Sequence, residues 1–128
     1  MAQMPRVLHV LPHPGGGGET YVDLLAQMPG YRFERIYLAP RASGPGAAAA
    51  ALGNAVRVAR AARGTDIVHV HGEIASAICV LLLASRNSVV TINGLHVLRR
   101  AQGLGRRAAL MNLRLVLRSA NRTICVSE

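Results

Sequence analysis

The 128 residues contain no lysine and no tryptophan, one phenylalanine, three tyrosines and two cysteines. Each shortage excludes something. Without lysine, the phosphate-binding loop GxxxxGK followed by Ser or Thr cannot be built. Scarce aromatics leave the core to Val, Leu, Ile and Ala. They also leave no stacking platform for bases, and the arginines are scattered, so the sequence reads as binding no nucleic acid. Cys79 and Cys125 form no CxxC pair. They read as two buried, unlinked thiols of a protein in a reducing cytosol, not as a zinc or redox motif. Long apolar runs are missing too. The longest, Ile74–Ala84, has 11 residues, too few to span a bilayer and suited to a buried helix. The short run Val7–Pro12 behind Arg6 is no signal peptide.

What is present is globular. Hydrophobic residues make up 51% and charged residues 16%, enough for one domain with one core. All 15 basic residues are arginine and the net charge is +9, a field that favours anionic partners.

Apolar runs and helical periodicities alternate along the chain. Strands are expected at Arg6–Pro12, Arg32–Pro40, Asp66–His71, Ser88–Asn93 and Arg122–Ser127. A first helix follows the glycines with Tyr21, Val22, Leu25 and Met28 on its inner face. A second starts near Pro45, turns Leu52, Ala55, Val56, Ala59 and Ala62 inward, and closes at Gly64. A third is the run from Ile74, and a fourth spans Leu104–Ala120 with Leu110, Leu113, Val116 and Leu117 inward. Apolar strands linked by helices imply an α/β fold. The expectation is a doubly wound, mostly parallel, five-stranded Rossmann-like sheet with helices on both faces and strand order 3-2-1-4-5. The chain stops at Glu128 directly after a strand, which reads as a fragment.

Ligands of such sheets bind at the strand C-termini. Gly15–Glu19, His71–Glu73, Asn93–Gly94 and Ser127–Glu128 fall at or just past those ends. Four glycines in "PHPGGGGETYVDLL" open a helix, so bare backbone N–H groups and a positive helix end can meet a phosphate or polar ligand. The dinucleotide fingerprint GxGxxG fails in both registers, at Thr20 and at Tyr21. Glu19 is a loop acid or a first-turn stabiliser, and Glu73 a rim acid or a helix cap. His69 and His71 share one strand face. Without further ligands at matching spacing they suggest no metal. His69 reads as a satisfied core residue and His71 as a rim contact. No Ser–His–Asp arrangement or nucleophile elbow is present.

Four segments, in order, resemble the N-terminal domain of the family 4 glycosyltransferases of GT-B fold. "RVLHVLPHPGGGGETYVDLLAQM" resembles the opening strand, GGxE loop and first helix, and "TDIVHVHG" resembles "pDvvHaHg". "VVTINGLH" is similar to "vvvTvHGl", and "SANRTICVSE" to "aDrviaVSe". The resemblance implies that residues 1–128 are the acceptor-side half of a retaining transferase of bacterial type. That enzyme would use a nucleotide-sugar donor and neither metal nor cofactor. The donor would sit mainly on a second domain carrying ExxxxxxxE, so the chain alone is expected to be inactive. It implies substrate contacts at Gly16, Gly17, Gly18, Glu19, His71, Asn93, Gly94, Ser127 and Glu128, and assigns no catalytic residue. The chain departs from the pattern in two places: "PGYRFERIYL" replaces "rGHeV", and Asn93 replaces the histidine of "THG". Asparagine keeps hydrogen bonding but cannot titrate. Arg99, Arg100, Arg106, Arg107, Arg114 and Arg118 form either a solvated face or a contact with acidic lipid and a lipid-linked acceptor, which would place the protein in the cytoplasm, at the inner face of the membrane. The alternative reading is a stand-alone Rossmann-like module that binds a nucleotide or a protein without catalysis.

Overall fold

A computed structural model describes residues 3–126. Strand β1 is Arg6–Leu11, with five of its six residues buried. Arg6 anchors it: its N–H donates to Asp66 Oδ2 at 2.7 Å and its guanidinium bonds Glu34 Oε1 at 2.6 Å. The same side chain donates to the Gly64 carbonyl at 2.9 Å, where φ is +82°. One residue, through its backbone and its side chain, thus ties three strands together near their starts.

The remaining elements follow in alternation. They are α1 (Gly17–Leu25), β2 (Arg32–Tyr37), a 3-10 turn (Gly44–Gly46), α2 (Ala47–Ala61) and β3 (Ile67–His71). Then come α3 (Glu73–Ile78), α4 (Val80–Ser85), β4 (Ser88–Ile92), α5 (His96–Arg100), α6 (Gly103–Ser119) and β5 (Arg122–Cys125). All five strands run parallel, in the order β2-β1-β3-β4-β5.

The parallel, helix-covered α/β architecture is as expected, but the strand order is not 3-2-1-4-5. Strand β3 pairs with β1, His9 opposite His69. The reason is burial. β3 carries four buried residues out of five, whereas β2 carries Arg32, Glu34 and Arg35 and has none fully buried. The charged strand takes the edge, where water solvates it, and the apolar one the centre.

Leu8, Val10, Val68, Val70, Val90 and Ile92 point to one face and pack on Val58, Ala62, Ala75, Cys79, Leu83 and Val116 from α2, α3, α4 and α6. Helix α1 lies on the other face, where the Tyr21 ring meets His69 and His71 edge-on.

All four helix expectations need some correction. The run from Ile74 divides at Cys79 into two helices. Helix α2 is rotated: Asn54 and Val58 face the core, whereas Leu52 is 66% exposed and Val56 is exposed too. The cause is Asn54, whose side chain bonds both the N–H and the carbonyl of Ala39 at 2.8 and 3.3 Å. That buried polar pairing outweighs two apolar residues in an alanine-rich helix of weak contrast. In α6 Val116 is buried as expected, but Leu117 is exposed, as is Met28 beyond α1.

Cys79 is buried, and burial pushes its thiol up to about 12. Cys125 is exposed, against expectation, because β5 has all four residues exposed. No helix among the described residues is long and apolar enough to cross a membrane.

Candidate functional site

The chain leaves β1 through Pro12–Gly16 and enters α1 at Gly17. Gly15 and Gly16 both have φ of +82°, a conformation that other residues adopt only with strain. Gly18 is close-packed, since a Cβ there would lie 3.4 Å from Leu11 Cδ2 and 3.9 Å from Asn93 Nδ2. Gly17 differs: its φ is ordinary and a Cβ would meet nothing within 4 Å. At Gly17 the first turn of α1 therefore borders open space. Asn93, exposed just past β4, lies beside that turn.

Glu19 holds this loop in place. Its carboxylate accepts hydrogen bonds from the Gly15 N–H and the Tyr37 hydroxyl, with Arg35 3.8 Å away. The Tyr37 and Gly15 bonds hold its carboxyl below the usual range. Arg35 also pairs with Asp23 at 2.5 Å. Glu73 is engaged as well. It caps not its own helix but α5, accepting from the N–H groups of Val97 and Leu98 at 2.8 and 3.4 Å. Both carboxylates of the rim thus serve backbone donors.

His71 does not open onto the rim; its side chain is inside, 1% exposed. His9 Nδ1 and His71 Nε2 share a hydrogen bond of 3.0 Å, and His69 Nε2 bonds Thr91 Oγ1 at 2.7 Å, the satisfied core role expected of it. Whichever ring of the first pair donates, one far nitrogen remains a bare lone pair and the other an N–H. These two atoms, His9 Nε2 and His71 Nδ1, are buried without partners. All three imidazoles are neutral at pH 7. His9 is lowered to about 3 by burial, then by His69 and Arg35. Burial alone lowers His69 to about 4, and burial with the other two rings lowers His71 to about 3.

Ligand nitrogens of the three lie within 4.8 Å of one another. The rings do not form a metal cradle, however. His69 and His71 stack at 4.1 Å with 27° between planes, so their in-plane lone pairs run alongside each other instead of converging. Arg35 adds positive charge to the same region.

The structure thus brings Gly16, Gly17, Gly18 and Asn93 together at the surface, with Glu19 supporting the loop. Gly94 lies under the His96 ring, whose Nε2 would be 2.8 Å from a Cβ at residue 94. Ser127 and Glu128 lie outside the described residues. Two exposed imidazoles of the rim, His13 and His96, escaped the sequence reading. Their only signal was proximity to the glycines and to Asn93.

A search of curated proteins gives no match. The profile of Glycosyltransferase Family 4 matches residues 8–128, from β1 through β5. The match takes in the glycine loop, the end of β3 and the Asn93 turn, and the chain belongs to glycosyltransferase family 4.

Proposed function

We propose that this domain is the acceptor-binding half of a retaining glycosyltransferase that takes a sugar from a nucleotide-sugar donor, and that alone it transfers nothing. The observation that carries the reading is the open first turn of α1 beside Asn93. A helix start offers N–H donors and a partial positive charge, here offset in part by the Glu19 carboxylate of the first turn, which suits a polar hydroxyl cluster or a phosphate. The Asn93 amide can donate to one sugar oxygen and accept from another, but it moves no proton. Glu19 and Glu73 are committed to backbone and hydroxyl donors, so neither is free as a base or nucleophile. Transfer needs donor and acceptor held together in a dry cleft, and one rim of one sheet does not enclose such a cleft. In a nucleotide-release assay with UDP- and GDP-sugars and acceptor extracts, the 128-residue chain is expected to match the no-protein control. Turnover above that control would overturn the proposal.

The acceptor is brought to the domain at an anionic membrane surface. Between Glu73 and Glu128 the sequence has eight arginines and no acidic residue. On α6 the outward side carries Leu104, Met111 and Leu115, exposed by 81%, 58% and 49%, next to Arg107, Arg114 and Arg118. Apolar side chains flanked by arginine suit a headgroup layer better than water. Each arginine near acidic lipid contributes about 1 kcal/mol. Replacing Arg107, Arg114 and Arg118 by Gln should weaken sedimentation with phosphatidylglycerol vesicles roughly a hundredfold. Equal sedimentation of parent and variant, or equal binding to neutral phosphatidylcholine, would remove the membrane from the reading.

A further inference from the structure

On the face of the sheet opposite α1, a cavity of about 250 Å³ opens at the same C-terminal rim. It exists because small side chains meet there: Ala50 and Ala51 of α2, Ala77 of α3 and Ala109 of α6 leave space above Ile92 and Leu113. Its volume equals the liquid share of about eight waters, less than a whole drug-sized ligand needs. It therefore takes the end of a larger molecule. Its walls offer little to a sugar, because they are mostly apolar and most of the polar groups on them already have partners. Asn54 holds the Ala39 backbone, Ser76 Oγ donates to the Gly72 carbonyl at 2.6 Å, and Glu73 caps α5. Most hydroxyls placed there would lose water without replacement bonds, since the Asn112 amide of α6 is the one neutral side-chain group of the lining with no hydrogen bond among the described residues. Arg41 is the charged exception. It lines the cavity, is exposed, and makes no hydrogen bond or ion pair among the described residues. The wall formed by α6 lies in the stretch that carries no acidic residue. Glu73, the carboxylate of the lining, is held by the α5 N–H groups, so Arg41 favours an anionic head over a cationic one.

We propose that this cavity holds the aliphatic end of a phosphate-bearing acceptor, with Arg41 on the phosphate. The inference rests on the acceptor-side reading and names the acceptor class. Ile92 forms part of the floor and Asn93 is the next residue, so a molecule anchored here reaches the rim beside the start of α1.

The probe is n-decyl phosphate, titrated calorimetrically into the 128-residue chain below the micellar concentration. Saturable one-site binding is expected, with decanol at least about tenfold weaker and inorganic phosphate showing no binding. Ala109→Phe and Ala50→Leu fill the cavity from two different helices. Each should weaken decyl phosphate about thirtyfold or more while far-UV circular dichroism stays unchanged. Arg41→Gln, at the surface, should reduce decyl phosphate to the level of decanol and leave decanol as it was. The proposal fails if decyl phosphate does not saturate, if the filling variants bind it as the parent does, or if decyltrimethylammonium binds equally well. These heats are read without sugar transfer. Their absence would remove the lipid tail and leave the acceptor-side reading standing, whereas transfer by the chain alone would overturn that reading and leave the cavity's ligand in place.

Discussion

Lowering the pH from 7 to about 4 is expected to unfold the domain, with close to three protons taken up as it unfolds. His9, His69 and His71 are neutral in the fold, with values near 3, 4 and 3, while in the unfolded chain each protonates near 6.5. The folded state thus binds fewer protons than the unfolded state across that window. Stability contributed by keeping the rings neutral is complete above about pH 6.5 and falls as pH drops toward the folded values. Three such groups give a slope of about 4 kcal/mol per pH unit. A domain worth 5–15 kcal/mol, roughly, loses that within a few units. Circular dichroism against pH measures the midpoint, and the pH dependence of urea midpoints measures the protons. The double variant His9→Leu, His71→Leu removes two titrations along with two unpartnered polar atoms. Its uptake should fall to about one proton and its midpoint should move to lower pH. A parent that unfolds with uptake below one proton would show that these rings titrate normally.

Replacing Gly17 by Val should abolish engagement of the acceptor or the donor phosphates, by about a hundredfold or more, without unfolding the domain. The backbone does not require glycine at residue 17, since φ is ordinary and a Cβ finds open space. A valine therefore does not cost the fold, since valine is the better helix former by a few tenths of a kcal/mol, roughly. What it occupies is the space a ligand must enter to reach the N–H groups of the first turn. Gly15→Val is the contrasting variant. There φ is +82°, so the loss would fall on stability as well. Melting curves alongside transfer rates, measured in an active assembly containing this domain, separate the two. Normal turnover with Gly17→Val would reduce the loop to a connector.

The strands were legible because buried parallel strands are short, apolar and bounded by Pro, Gly or Asn. Their order was harder to see, yet the signal was present: Arg32, Glu34 and Arg35 do not belong in the middle of a sheet. Helix α2 misled because alanine faces look alike, and its orientation is decided by one buried amide, Asn54. The glycine loop was legible as the turn that leads from a strand into a helix, but not the division of labour within it. Two glycines serve the backbone, one serves packing, and one faces open space. The histidine cluster was half visible. His69 and His71 share a face by alternation, whereas His9 joins them only through the β1–β3 register, across 62 residues of sequence from His71.

That register also sets a timetable for synthesis. Strand β1 ends at Leu11 and its inner neighbour β3 at His71, so the ribosome completes β1 well before β3. Ribosomes add about 5–20 residues per second, so β1 waits roughly 3–12 s for the partner that completes the middle of the sheet. During that interval it can pair only with the charged strand β2, leaving one hydrogen-bonding edge and the side chains of Leu8 and Val10 incompletely covered. The nascent chain is then an unfinished two-stranded ribbon, the form most open to pairing with a neighbour on the same messenger or to capture by a chaperone.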